Sequence, residues 1–298
     1  MPWIPRGLRH GIVTSPYPRR ADGYGPGFFG RVEVAPAIGD DPRAVDAAAR
    51  ACPTGAIVVG RGSAGRDEGV ELVELDRGRC VLCGRCAALA PGTFREDPGF
   101  ETAAFGRRAL VVPHREGDDA ELAEARAQLA HRVRALRRSV HVRHVDAGSD
   151  GSEEWEVAAL TNPVYDVQRL GVFFTASPKH ADVLLVTGTG SAGMEESLRH
   201  TYEVMPEPKV VIAVGADAAS GGMVGEGYAS RGGVSSFVPV DVYVPGSPPS
   251  PFGILYGILL AVGTLGLRPQ PGAEGSQAVS PGTSATPERA RSARGGGR

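Results

Sequence analysis

Four short runs of β-branched and aliphatic residues punctuate the second half of the chain, at 141–145, 181–187, 209–214 and 239–244. Each leads into a loop containing Gly, Ser or Asp, and helical patterns separate several of them. Strands alternating with helices predict a parallel, doubly wound α/β sheet over 140–267. In the last run Asp241 and Tyr243 alternate with Val240 and Val242, as in a strand packed on one or both faces. Upstream, Leu122, Ala125, Leu129, Val133 and Leu136 recur at helical spacing. Asp118 and Asp119 open that segment and Arg134, Arg137 and Arg138 close it, the charge order a helix dipole favours, so 117–139 reads as a connecting helix. The stretch 252–267 is apolar for 16 residues but holds four glycines. A spanning helix needs roughly 20 apolar residues, so this one is expected to be a buried helix.

The rest of the chain patterns weakly. Residues 1–35 are rich in turn formers and read as an irregular lead-in, 36–116 contain every cysteine, and 268–298 are Pro/Gly/Ser/Arg-rich and expected to be disordered. With 298 residues the chain can bury two cores. The net charge of −2, with acidic and basic residues interleaved, leaves no nucleic-acid or polybasic membrane footprint. The N-terminus lacks the apolar run of a signal peptide, and a cytoplasmic protein is expected, peripheral on the membrane if its partners are there.

Cys80, Cys83 and Cys86 stand at i, i+3 and i+6, a spacing at which one short loop can wrap three corners of an iron–sulfur cube. Cys52 is followed by Pro53, the Cys-Pro pair in which the fourth ligand of a bacterial ferredoxin motif usually stands. In two-cluster ferredoxins each fourth cysteine serves the other motif's cluster. The positions a second cluster would need are Pro42, Val45, Ala48 and Ala90, and none is a cysteine. One complete ligand set therefore stands beside one wholly absent set, which points to a single [4Fe–4S] cluster. A zinc site from the same four cysteines is the alternative; disulfides fit poorly, because the cysteines are crowded and nothing suggests export.

This N-terminal half, including Arg6-Gly7-Leu8-Arg9-His10-Gly11-Ile12-Val13-Thr14-Ser15-Pro16-Tyr17-Pro18, resembles the ferredoxin-like subunit of respiratory complex I and of membrane-bound [NiFe] hydrogenases. The resemblance implies a small α+β ferredoxin-like domain over 36–116, which departs from the family by keeping one cluster of two.

The second domain resembles a different subunit of the same complexes, the small subunit carrying the terminal cluster. Asn162-Pro163-Val164-Tyr165-Asp166-Val167-Gln168-Arg169-Leu170-Gly171, the run from Ser177 to Gly188, and Val238-Pro239-Val240-Asp241-Val242-Tyr243-Val244-Pro245-Gly246 carry the likeness. That family binds its cluster through cysteines at the carboxyl ends of the strands. Here the matching positions are Asp150 and Glu153 in Gly148-Ser149-Asp150-Gly151-Ser152-Glu153, Asp217 in Val214-Gly215-Ala216-Asp217, and Ser247 in Pro245-Gly246-Ser247-Pro248-Pro249. Oxygen groups are not expected to keep an iron–sulfur cube. They are expected to leave an empty polar site, with a hard cation or a held proton as alternatives.

The resemblance implies an iron–sulfur electron-transfer subunit that docks a large catalytic-type subunit and other redox or membrane subunits, without turnover of its own. A non-redox assembly subunit with a structural cluster is the alternative. Gly188-Thr189-Gly190-Ser191-Ala192-Gly193 has dinucleotide-fingerprint spacing but lacks the acidic ribose partner at the end of a second strand. The stretch 137–144, rich in His and Arg, reads as a solvated or interface strand.

Overall fold

The computed structural model describes residues 3–20, 23–61, 70–114, 118–136 and 139–264. The tail expected to be disordered, 268–298, lies outside the described residues. In chain order the elements are helix α1 (Trp3–His10), strand β1 (Phe29–Val34), helix α2 (Pro42–Ala51), strands β2 (Ile57–Arg61) and β3 (Val70–Asp76), and helix α3 (Arg85–Leu89). Strands β4 (Phe94–Pro98), β5 (Ala104–Phe105) and β6 (Val111–Val112) lead to helix α4 (Asp118–Arg132). Then come β7 (Val140–Asp146), α5 (Ser152–Ala159), β8 (Val172–Phe174), β9 (Val183–Thr187), α6 (Glu195–Val204), β10 (Val210–Val214), α7 (Gly215–Ser220), β11 (Val242–Val244) and α8 (Pro251–Ala261).

The main sheet is α/β, as the strand–helix alternation predicts. Its order is β5-β11-β10-β9-β7-β8, parallel throughout except that β5 runs antiparallel to β11. From β7 the chain moves to β8 on one side and then crosses to β9 on the other, so direction reverses at β7. Ligand crevices of open α/β sheets form at the carboxyl ends beside such a reversal. β9 and β10 are buried at all five positions, as central strands covered on both faces require. One face packs Val142, Leu185, Ile212 and Val244 under α8, Val157 and the end of the α4 region, including Leu129 and Val133. The other packs Leu184, Val186, Val211 and Tyr243 under Leu198, Ala218 and Leu110.

The sequence pattern misses β8 and β5, each too short to show a period. The segment expected to be irregular, 1–35, contains α1 and β1. Two small antiparallel sheets, β1-β4 and β2-β3-β6, surround the cysteine region, and their core unites Val32, Val45, Leu75, Cys86 and Phe94. Asp76 at the end of β3 takes a two-pronged ion pair from Arg107 at 2.6 and 2.5 Å, and Arg107 Nε donates to the Ala219 carbonyl at 3.2 Å, tying this region to α7.

Helix α8 is apolar on every side and buried along almost its whole length, the condition for an all-round hydrophobic helix in a globular core. Ser250 caps it by accepting from the Gly253 N–H at 3.2 Å, and Pro251 follows at the first turn. Phe252 stacks on Phe100 at 4.9 Å and meets Tyr17, Phe28 and Tyr165 edge-on. Further along, Gly257 lies so near β11 that an added Cβ would stand 2.4 Å from Val244 Cγ2. We expect Gly257→Ala to cost about 1–3 kcal/mol through overpacking, outweighing the roughly 1 kcal/mol that alanine gains in a helix interior. A fall in the urea midpoint at constant slope would show it, and an unchanged midpoint would mean that the helix can ride up off the strand.

Candidate metal centre and the carboxyl-end cluster

Cys52 caps the end of α2, Cys80 follows the turn after β3, Cys83 lies in the next loop and Cys86 in α3. All four are free thiols lining one pocket with Pro53, Thr54 and Gly84. Two left-handed residues, Leu82 at φ 55° and Gly84 at φ 70°, curl the loop between the last three cysteines. Such a conformation is unfavourable for leucine, so the surrounding packing must hold it. The Ala56 N–H donates to Cys52 Sγ at 3.2 Å. Burial pushes the Cys80 thiol up to about 12, with the Leu82 amide opposing and the other three cysteines adding to the rise. Burial raises Cys86 too, against the Ala87 amide. Thiols so raised ionise readily only beside bound positive charge, so the donor set suits a metal group. Among the described residues no three His, Cys, Asp or Glu side chains converge closely enough to hold one ion.

The positions a second cluster would need are occupied by packing. Val45 and Ala48 face inward from α2, and Ala90 follows α3; all three are buried in the core that contains Cys86. Pro42 is exposed at the start of α2, where the Asp41 side chain accepts from the Arg43 N–H at 2.7 Å.

At the carboxyl end of the main sheet, Asp150, Glu153 and Asp217 come within range of each other's charge. Ser247 is exposed and reaches the group only through its neighbour: the Gly246 carbonyl accepts from the Ala216 N–H at 2.7 Å. Glu153, at the start of α5, is fully buried. Ser152 Oγ stands 3.0 Å from its Oε2, while its Oε1 has no partner. Burial first, then Asp217 and Asp150, push its carboxyl up to about 7 against its own backbone amide and Ser152. Asp217 is raised by burial and by the charges of Asp150 and Glu154. Exposed Asp150 is held low by the Ser152 hydroxyl and N–H.

A neighbouring network went unread in the sequence. Glu154 accepts from Ser149 Oγ at 2.6 Å and from Thr187 Oγ1, and Thr187 lies 3.0 Å from His144 Nε2. His144 is half-buried and its pKa is lowered by burial, against the pull of Glu154 and Asp146. The signal was available: Thr187 is the polar end of an otherwise apolar strand, and His144 breaks the alternation of β7. In the Gly188–Gly193 loop, a Cβ at Gly188 would meet Ser149 N at 2.6 Å and one at Gly190 would meet Gly233 O at 2.5 Å. Those glycines admit neighbouring backbone, and the following helix opens on Glu195 and Glu196, which disfavour a phosphate.

Residues 151–261 match the family described as NADH ubiquinone oxidoreductase, 20 Kd subunit. Probable membrane-bound hydrogenase subunit mbhJ of Pyrococcus furiosus is 40% identical over 135 residues, covering 45% of this chain and 81% of that protein. The chain belongs to this family. Formate hydrogenlyase subunit 7 of Escherichia coli is 38% identical over 159 residues, 53% of this chain, and the chain spans 61% of its length. A chain of the membrane-bound sulfane sulfur reductase, an archaeal respiratory membrane complex, shares 29% identity over 44% of this chain and 75% of its own, with a TM-score of 0.39. The 20 Kd segment contains Glu153, Asp217 and Ser247 but no cysteine; all four cysteines precede it.

The raised carboxyl of Glu153 gives a signed pH effect. Between its ordinary value of 4.5 and about 7 the folded chain keeps a proton that the unfolded chain has released. Its contribution to stability is therefore full at acid pH, falls as pH rises through that window and is lost above it. Glu153→Gln should abolish this fall and be the more stable protein at about pH 8, by at most about 3 kcal/mol. Near pH ~5 the two should differ much less. Urea titrations at both pH values check this, and a difference independent of pH would refute it.

Proposed function

We propose that the chain is an iron–sulfur electron-transfer subunit of a complex related to respiratory complex I and the membrane-bound [NiFe] hydrogenases, with one [4Fe–4S] cluster on Cys52, Cys80, Cys83 and Cys86. The observation that carries this reading is the placing of four free thiols around one pocket. Three of them at i, i+3 and i+6 with a Cys-Pro partner suit a cluster better than one tetrahedral ion. Bound there, the cluster would supply a one-electron carrier. The protein's part would be to present four thiolates, to direct the Ala56 N–H at the Cys52 sulfur and to keep Cys80 and Cys86 from water. Amide donation and desolvation are the levers by which a protein sets a cluster's potential.

On this reading the chain joins a ferredoxin-like unit to a 20 Kd-type unit whose cluster cysteines have been replaced. Asp150, Glu153, Asp217 and Ser247 offer only oxygen, so a second cluster does not fit there. The loops around them would form the contact face for a large catalytic-type subunit. Trp155, Met223, Val224 and Tyr228, on α5 and on the loop after α7, are exposed at 79%, 62%, 70% and 97%, and large apolar groups left in water favour a partner. Names of relatives that include a membrane-bound hydrogenase subunit and a formate hydrogenlyase subunit support such partners. No helix among the described residues is long and apolar enough to cross a membrane, so attachment would be peripheral, through other subunits.

The alternative, an assembly subunit with a structural cluster, is favoured by the missing thiolates at the sheet's carboxyl end. Anaerobic purification with iron analysis and EPR of the reduced protein tests the assignment. We expect one reducible four-iron cluster, abolished by Cys83→Ala and unaffected by Asp217→Asn. Zinc in place of iron, or a second cluster signal, would overturn it. A cluster that no donor reduces with the partner present would favour the structural role.

A further inference from the structure

Ser152 has one hydroxyl proton and two carboxyl neighbours. Its Oγ stands 2.6 Å from Asp150 Oδ1 and 3.0 Å from Glu153 Oε2. Asp150 has the shorter contact and also receives the Ser152 N–H at 2.9 Å, the pattern of an exposed, ionised carboxylate. With the hydroxyl proton pointed at Asp150, the contact to Glu153 is a hydrogen bond only if Glu153 donates to a lone pair of Oγ. The shorter contact to Asp150 thus suits a protonated Glu153 that donates to Ser152, whereas an ionised Glu153 would compete with Asp150 for the one hydroxyl proton. The second Glu153 oxygen, Oε1, is wholly buried and unpartnered, which a neutral carbonyl tolerates far better than a carboxylate does.

The surroundings agree. The charges that reach Glu153 from other elements are Asp217 of α7 and Asp150 of the preceding loop, both negative. Helix α8, packed on α5, brings apolar residues and Tyr256. Glu154, on the same helix, is engaged by Ser149 and Thr187. No described cation stands against Glu153 to hold it ionised. Gly215 leaves the space its carboxyl fills, since a Cβ there would lie 2.4 Å from Oε1.

We propose that Glu153, Ser152 and Asp150 form a proton path, with buried Glu153 as the proton store and Asp150 as its opening to solvent. In one transfer the Glu153 Oε2–H bond breaks as a new O–H forms on Ser152 Oγ. The original Ser152 proton passes to Asp150 Oδ1, and Asp150 yields it to water. Glu153 ends as carboxylate, Ser152 is again a neutral hydroxyl, and one proton has left; the reverse sequence reloads the site. The carboxyl end of this sheet would thus carry protons, independently of whether the cysteine pocket holds a cluster.

Infrared difference spectroscopy of the full chain tests the store. A carboxylic-acid C=O band sensitive to deuterium should be present below about pH 7, fade at alkaline pH and vanish in Glu153→Gln. The path is tested by following that band after a photochemical pH jump. Ser152→Ala should keep the band but slow its relaxation, Ser152→Thr should restore the rate, and Asp150→Asn, which keeps a hydrogen-bond acceptor for the hydroxyl but cannot take up its proton, should be slow. Absence of the band in folded wild-type protein overturns the store. Wild-type relaxation rates in Ser152→Ala, or in Asp150→Asn should the former not fold, overturn the path.

Discussion

Burial of α8 is the interaction from which the arrangement of both chemical regions follows. A helix with no polar face must be covered on every side, and here the covering is shared. The main sheet takes one side, with Gly257 allowing contact with β11, and α5 lies against another. Phe252 gathers Tyr17, Phe28, Phe100 and Tyr165 from four separate segments. Phe28 and Phe100 flank the β1-β4 pair beside the cysteine region, and α5 begins with Ser152 and Glu153. One apolar cylinder thus sets the position of the thiol loop and of the buried carboxyl together.

The two regions treat buried acids in contrasting ways. Cys80 and Cys86 are pushed toward the thiol by burial and by one another, a cost that bound metal would reverse. Glu153 is pushed the same way by burial and by Asp217 and Asp150, but with a hydroxyl at hand to take its proton. The same electrostatic pressure suits one pocket to a cationic group and the other to a mobile proton.

Much of this was legible in the residues. The apolar runs that become β9 and β10 are fully buried strands, and 252–267 announced a buried helix because it is too short and too rich in glycine to span a bilayer. The cysteine spacing named the four residues that line one pocket. Asp150, Glu153 and Asp217 could be grouped from the sequence because the segments that carry them follow the ends of β7 and β10. The contacts of Glu154, Thr187 and His144 could not be read, since they join residues 33 and 43 positions apart, and that of Ser152 could not, since it depends on side-chain placement within one turn. Nor could the pattern show that Val45, Ala48 and Ala90 lie in the core. Strand β5, two residues long, carries no period at all and is defined only by its partner.

That short strand changes how the large sheet meets the outside. Through Ala104 and Phe105 the N-terminal region lies antiparallel along β11, so one of the sheet's two margins is closed by the chain itself. An open margin invites pairing with a second molecule. Here Phe105 pairs with Val242 and Ala104 with Tyr243, so β11 is an inner strand. The covering strand is itself only two residues long, and β8, which ends the sheet on the other side, has three, so neither terminal strand offers a long edge for pairing.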